Sequence, residues 1–337
     1  MEKKEHLICL GIESTADNLG IGIVSSEGKI LANEVEVHIP KTGGIHPREA
    51  AQHHASEFGK VLEKALRIAK IGSKEIDLIS FSQGPGLGPC LRTGATAARA
   101  LAVYLNIPLI GVNHCIAHVE IGRLMSRAKD PLTLYVSGGN TLITAYEAGR
   151  YRIFGETLDI AVGNCLDTFA REAGLPYPGG PAVETIAAKG NRLLSLPYIV
   201  KGMDLSFSGL LTAAVLKLRG GQCRLEDLCF SLQEVAFAMV GEVTERALAH
   251  TKKHELLLTG GVAANKRLRS MIQLIAEEHG ATSKFVPQKF ATDNGAMIAW
   301  TGILAYVSGL RTEVETSYID SNWRMDEVEV PWRSSNW

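Results

Sequence analysis

No stretch of this 337-residue chain approaches the roughly 18 apolar residues of a membrane span. The apolar run after the N-terminal lysines Lys3 and Lys4 is six residues long before Glu13, too short for a secretory signal, so a soluble, cytoplasmic chain with no membrane partner is expected. Neither a Walker loop nor a Rossmann glycine fingerprint occurs. The six cysteines (Cys9, Cys90, Cys115, Cys165, Cys223, Cys229) show no CxxC spacing and mostly sit among apolar neighbours, as reduced core thiols of a cytosolic protein do. Net charge is only −1, so nothing global announces a nucleic-acid or anionic-membrane partner, and any such surface has to be a local patch.

What is present is glycine in a repeated setting. Tyr135-Val136-Ser137-Gly138-Gly139-Asn140-Thr141 lies between apolar segments and reads as two short strands joined by a glycine turn. Consecutive N–H groups at such a tip can converge on an anion that a side-chain-lined turn would exclude, although a diglycine hairpin is often only a hairpin. The segment Leu7 to Val24 repeats strand, small polar turn and strand. Glu255 to Leu268 runs as an apolar strand through Gly260-Gly261 into a helix whose N-terminus could face a ligand, with the glycines letting the flat face of a base approach. Two hairpin-type loops followed by strand, diglycine and helix resemble the order of the actin, Hsp70 and hexokinase nucleotide fold. The expected class is therefore α/β, with two related lobes and a nucleotide and metal cleft between them.

Length agrees, because a chain of this size exceeds the usual single core. Strands are expected near 7–12, 20–25 and 30–38, then a loop from Pro40 to Pro47, a helix from Arg48 to about Lys70, and a strand over 78–82. The glycine-rich loop from Gln83 to Pro89 leads into an alanine-rich helix over 91–105. A short helix follows Val112 with Asn113 as its N-cap, and Lys129-Asp130-Pro131 marks the lobe boundary. The expected organisation is residues 1–128 as the N-terminal lobe, 129–293 as the C-terminal lobe, and 294–337 as a helix and tail returning to the first. Val328-Glu329-Val330 alternates like a short edge strand.

His114 and His118 are the sharpest chemical signal. Four residues apart on a helix, they stack on one face, a bidentate metal platform, although two satisfied core histidines would look the same. Cys115 stands where the zinc-protease HExxH carries its glutamate, so peptidase chemistry is disfavoured. Asp293 sits at a turn entering a helix, where it could complete a site or merely cap the helix. His46, His53 and His54 form a rival cluster, for which solvated or RNA-facing roles are expected.

The segments Gly44 to His54, Gly84 to Pro89, Asn113 to His118, Tyr135 to Thr141, Asp204-Leu205-Ser206-Phe207-Ser208-Gly209 and Asp293 to Met297 closely resemble the tRNA N6-adenosine threonylcarbamoyltransferase family in its archaeal and eukaryotic branch. The resemblance covers essentially the whole chain. It implies transfer of a threonylcarbamoyl group from threonylcarbamoyl-AMP to the exocyclic amine of the adenosine just 3′ of the anticodon, in tRNAs reading codons that begin with A. It implies that His114, His118, Tyr135 and Asp293 bind one Fe(2+) or Zn(2+), and that Tyr135, Val136, Ser137, Gly138 and Gly139 hold the phosphate and carbonyl oxygens of the adenylate or of ATP or AMP. It also implies substrate or nucleotide contacts from Asp167, Gly180, Glu184 and Asn265. Asp167 would otherwise read as a helix ion pair with Arg171. Glu13 is the candidate acid/base or electrostatic residue, at a position the family usually keeps acidic.

The partners implied are tRNA, the KEOPS subunits including an atypical kinase/ATPase and small accessory subunits, and an upstream threonylcarbamoyl-AMP synthase. Near-neutral charge fits RNA binding shared among subunits. A small-molecule kinase or ATPase of the same fold and a non-catalytic nucleic-acid or scaffold protein are the alternatives, and both predict function that survives loss of His114 and His118.

Overall fold

The computed structural model describes residues 6–40 and 44–333. The N-terminal lysines, the middle of the loop expected at 40–47 (residues 41–43) and residues 334–337 lie outside the described residues. The chain divides into two compact units: residues 1–124, 147–151 and 293–337, and residues 125–146 and 152–292.

In the first unit, β1 (Ile8–Glu13), β2 (Asn18–Ser25) and β3 (Ile30–Val37) form an antiparallel meander. The apolar and β-branched residues of β1 and β2 are almost all buried, as a strand covered on both faces requires. After α1 (Pro47–Ala69), β4 (Leu78–Gly84) pairs parallel with β1, and after α2 (Gly88–Leu105), β5 (Leu109–Asn113) pairs parallel with β4. The sheet order is β3-β2-β1-β4-β5. Pro47 fits the first turn of α1, where no N–H is required, and its buried stripe is Ala50, His54, Val61 and Ala65. Helix α3 (His114–Ser126) follows β5 without an intervening loop.

The second unit repeats this plan. Its strands β6 (Leu132–Val136), β7 (Thr141–Glu147) and β8 (Arg150–Glu156) lie side by side, and β6 and β7 are antiparallel. Helices α4 (Val162–Glu172) and α5 (Gly179–Ala187), the small ribbon β9 (Val200–Lys201) and β10 (Asp204–Leu205), α6 (Ser208–Gly220) and the long α7 (Leu225–Thr251) follow. Then β11 (Glu255–Thr259) pairs parallel with β6, and after α8 (Lys266–Glu278), β12 (Thr282–Phe285) pairs parallel with β11. The order β8-β7-β6-β11-β12 matches β3-β2-β1-β4-β5 strand for strand, so the turns after β1 and after β6 occupy equivalent places in the two sheets.

A four-residue helix α9 (Gln288–Ala291) precedes α10 (Gly295–Val307), which belongs to the first unit and packs on β1 and β2. The approach is backbone on backbone: a Cβ on Gly22 would lie 2.1 Å from the Ala296 nitrogen, and one on Gly295 would lie 2.0 Å from the Gly22 nitrogen. Only glycine at both positions lets the start of α10 rest on the hairpin. The tail is a series of 3₁₀ turns, including Met325–Glu327 and Pro331–Arg333. The edge strand expected at 328–330 is reduced to a single bridge between Glu329 and Arg150, because turns on either side leave no length for a ladder.

Candidate metal centre and anion-binding turn

Asn113 ends β5 and starts α3 at once, its side-chain oxygen accepting from the backbone N–H groups of Cys115 at 3.1 Å and Ile116 at 3.2 Å. The cap pins the first turn of the helix, so His114 and His118 emerge one above the other, with ring centroids 4.7 Å apart and the planes nearly perpendicular. Both imidazoles are buried.

Asp293 reaches the same spot from the start of α10. The capping duty there falls to Asn294, whose side-chain oxygen accepts from Met297 N–H at 3.1 Å. Asp293 is thus spared for the histidines: its Oδ1 lies 3.0 Å from His118 Nε2 and 3.6 Å from His114 Nε2. Asn18 adds a side-chain hydrogen bond to the carboxylate. Among the described residues these three are the one group of histidine, cysteine and acidic side chains whose ligand atoms all lie within 4.8 Å of one another.

Glu13, fully buried at the end of β1, stands behind this group. Its Oε2 is 3.0 Å from His114 Nδ1, and its Oε1 accepts from the Thr15 backbone N–H at 2.7 Å and from the Thr15 hydroxyl. The first turn is itself fastened on several sides. Ser14 N–H donates to Ser82 Oγ at 3.1 Å, Leu87 N–H to Thr15 O at 2.7 Å, His38 N–H to Asp17 O at 2.8 Å, and His54 Nε2–H to Ala16 O at 3.0 Å. His54 is therefore a buried core group, not the solvated or RNA-facing residue expected, while His53 lies beside it with Nδ1 3.5 Å from His54 Nδ1.

The charges reinforce one another. Burial works against the His114 imidazolium, yet Glu13 and Asp293 hold its pKa up at about 9. His118 is lowered, by burial first and by the neighbouring His114. Burial alone would raise Asp293, but the two histidines hold it down to about 2. Burial pushes the Cys115 thiol up to about 12, and its sulfur is not among the converging ligand atoms. Two imidazole Nε2 atoms and a carboxylate oxygen converging on one point, with a second carboxylate on the far nitrogen of one ring, are the donors a borderline divalent cation uses. The residues present fit such an ion.

In the second unit the turn after β6 is closed by Ser137 N–H donating to Asn140 O at 2.8 Å. The Ser137 hydroxyl accepts from Gly139 N–H at 3.3 Å and Asn140 N–H at 3.0 Å, filling with its own oxygen the place an anion's oxygen would take. A Cβ on Gly138 or Gly139 would meet nothing within 4 Å, so these glycines serve no packing need and leave the backbone approachable. Gly260 differs: with φ +94° and a virtual Cβ 2.1 Å from Val136 O, its missing side chain is filled by the strand leading to this turn, and only Gly261 remains open. Tyr135 and Val136 are buried in β6, and the Tyr135 hydroxyl lies 3.4 Å from Asn140 Nδ2.

The remaining residues expected at the site lie on α4 (Asp167), on α5 (Gly180 and Glu184) and at the start of α8 (Asn265). Asp167 Oδ1 accepts from Gly180 N–H at 3.0 Å, so its carboxylate caps the start of α5; burial raises its pKa, and the backbone bonds and the Arg171 charge work against that. Glu184 Oε1, further along α5, accepts from Lys266 N–H at 2.8 Å. Asn265 caps α8 through Arg267 N–H at 2.9 Å and Leu268 N–H at 3.1 Å, and its amide donates to Gln233 at 2.9 Å. The structure thus gathers His114, His118, Asp293 and Glu13 in the first unit, and Asp167, Gly180, Glu184 and Asn265 in the second, where Tyr135 to Gly139 also lie. Sequence reasoning missed Thr15, Asn18, Gln233 and Asn294. Of these only Asn294 carried a signal, as a second cap-forming residue beside Asp293.

The sequence model of the TsaD family, described as tRNA N6-adenosine threonylcarbamoyltransferase, matches residues 29–300. The tRNA N6-adenosine threonylcarbamoyltransferase of Thermococcus kodakarensis is 57% identical over 97% of this chain and all of its own length. The probable bifunctional tRNA threonylcarbamoyladenosine biosynthesis protein of Methanocaldococcus jannaschii is 56% identical over 97% of this chain but only 60% of its own, so the chain spans about three fifths of that bifunctional relative. Among solved structures, T. kodakarensis HypF superposes with a TM-score of 0.63 at 16% identity, covering 93% of this chain and 49% of that one. That likeness concerns the fold alone.

Proposed function

The chain belongs to the tRNA N6-adenosine threonylcarbamoyltransferase family, and from that premise we propose that it transfers the threonylcarbamoyl group of threonylcarbamoyl-AMP to the N6 amine of the adenosine 3′ of the anticodon, in tRNAs reading codons that begin with A. The observation that carries the reading is the convergence of His114, His118 and Asp293, backed by Glu13.

The reaction needs the anhydride carbonyl polarised, the leaving phosphate stabilised, and a weakly nucleophilic amine oriented. An iron or zinc ion held by His114, His118 and Asp293, with Tyr135 as a further oxygen donor, would supply Lewis acidity toward an oxygen of the substrate. The chain's own groups do the rest. Glu13 fixes the His114 ring through Nδ1 and offsets positive charge at the centre. It is an electrostatic and positioning group, since its carboxylate is enclosed and engaged by Thr15 and His114. The N–H groups of Gly138, Gly139 and Asn140 can turn to phosphate and carbonyl oxygens once the Ser137 hydroxyl rotates away. Adenine's exocyclic amine is neutral at neutral pH, so its lone pair is free to attack; as the C–N bond forms and the anhydride C–O bond to AMP breaks, it gives up one proton to the leaving phosphate or to solvent, and orientation matters more than a strong base.

Asp167, Gly180, Glu184 and Asn265 are assigned to the nucleotide and threonyl ends. Asp167 holds the start of α5 through Gly180 N–H, and Glu184 and Asn265 hold the start of α8. The partners proposed are tRNA, an atypical kinase/ATPase and small accessory subunits of a KEOPS assembly, and an upstream synthase. The word bifunctional in the name of a relative that extends beyond the matched length agrees with a second activity working beside this one. Among the described residues no helix is long and apolar enough to cross a membrane, which agrees with a cytoplasmic site of action.

The test is transfer of labelled threonine into purified tRNA, with synthase, bicarbonate, ATP and partner subunits supplied. Label with the wild-type chain but not with His118→Ala supports metal-dependent transfer. No label from a folded, metal-loaded, fully partnered preparation overturns it.

A further inference from the structure

Glu120 is a buried carboxylate that the proposed chemistry does not use. It lies on α3 two residues beyond His118 and six beyond His114. At about 100° per residue it points roughly 200° away from His118 and roughly 240° from His114, away from the face that carries the histidines. Three donors from three segments converge on it. Tyr151 OH donates to Oε1 at 2.6 Å, Trp332 Nε1–H to the same oxygen at 2.9 Å, and Arg123 to Oε2 at 2.6 Å. Arg123 also hydrogen-bonds Tyr151, closing the ring of contacts.

The segments that bring Tyr151 and Trp332 are tied to each other as well. Val330 N–H donates to Gly149 O at 3.2 Å, and Glu329 bridges Arg150. Tyr151 and Trp332 are themselves buried, and burial keeps the Tyr151 phenol well above its ordinary range, so it remains a donor. A carboxylate taken out of water is tolerated only with such partners, and losing one of them leaves the others misaligned.

We propose that Glu120 is a positioning residue for the metal centre. By anchoring the outer face of α3 to Tyr151 and Trp332, it fixes the rotation of that helix about its axis and hence the aim of His114 and His118 on the inner face. The C-terminal tail is then part of the metal site's scaffold, although no tail residue is among the proposed ligands. This inference rests on the metal reading of His114, His118 and Asp293.

The test is zinc affinity, measured by competition with a chromophoric chelator on the purified chain, together with the melting temperature of the metal-free protein. Wild type and His118→Ala come first: if wild type binds no stoichiometric zinc, or His118→Ala binds it equally, the metal reading itself fails. Given a wild-type site, Tyr151→Phe removes one hydroxyl from Glu120 without changing side-chain bulk. Its zinc dissociation constant is expected to rise about 10-fold or more, within the range for groups that orient ligands from behind. Trp332→Phe should act in the same direction, and it serves as the second variant should Tyr151→Phe not fold. If a folded variant melts lower while its zinc affinity equals wild type, Glu120 is only a staple and the proposal is overturned.

Discussion

Glu13 Oε2 lies 3.0 Å from His114 Nδ1, so this carboxylate holds the ring by the nitrogen opposite the one that faces Asp293. In the metal-free protein the pairing keeps a proton on His114 up to about pH 9, and a metal ion has to displace it. Apparent zinc affinity should therefore rise with pH, by about tenfold per unit below that value, because one proton leaves as one ion binds. Glu13→Gln removes the charge that holds the proton and also the charge that makes the ring a better ligand. Zinc titrations across pH 7 to 9.5 should show the variant with a shallower slope and, at the upper end, about 10- to 100-fold weaker binding. Equal slopes in both proteins would show that Glu13 does not govern His114.

His54 provides a separate pH signature. Burial, set against the bond to Ala16 O, lowers its pKa from 6.5 to about 4. Between those values the unfolded chain binds a proton that the folded chain does not, so stability falls as pH drops through that window and is unaffected by this group above it. His54→Gln places an amide donor near the same carbonyl and cannot titrate. Denaturation midpoints at pH 7 and pH 4.5 should converge for the variant relative to wild type, with the variant ahead in the acid comparison. A parallel pH dependence would show that His54 titrates normally.

Ser14 carries a buried hydroxyl with no hydrogen-bond partner among the described residues, and that oxygen fills the space a Cβ on Gly94 would take. Its backbone N–H, which does bond Ser82, is untouched by substitution. Ser14→Ala should raise stability by about 1 kcal/mol, since an orphaned buried hydroxyl costs roughly 1–3 kcal/mol. A shift of the urea midpoint to higher concentration at unchanged slope is the expected readout, and a lower midpoint would contradict it.

The two meanders and their glycine turns were legible because apolar strands and small turn residues alternate at short range. The helical position of His114 and His118 was legible because Asn113 is a strong cap beside an apolar strand. Other features depend on distant partners. Whether Asp293 or Asn294 caps α10 is undecidable from two adjacent cap-formers, and the fold decides it by bringing the histidines to Asp293. His54 was readable as buried, for it falls with Ala50, Val61 and Ala65 on one helical stripe, but the adjacent His53 suggested a polar cluster. Nothing local marks Glu120, whose partners Tyr151 and Trp332 lie 31 and 212 residues away. Gly260 and Gly138 look alike in the sequence, yet one is packed against a carbonyl and the other stands open.

That last contrast can be measured on two glycines with opposite duties. At Gly22 a methyl group would sit 2.1 Å from the Ala296 nitrogen and 2.3 Å from the Gly295 carbonyl carbon, so backbone has to move apart at the point where α10 delivers Asp293. Gly22→Ala should cost about 3 kcal/mol or more in stability, the upper end for overpacking, and should weaken zinc binding with it. Gly138 has open space around it and no left-handed φ, so Gly138→Ala should change stability by no more than about 1 kcal/mol. Its effect should appear instead as a higher KM for threonylcarbamoyl-AMP, because the methyl group intrudes where substrate oxygens approach the turn. A Gly138→Ala enzyme with wild-type KM and kcat would remove this turn from the proposed substrate site and leave the metal group to be tested by itself.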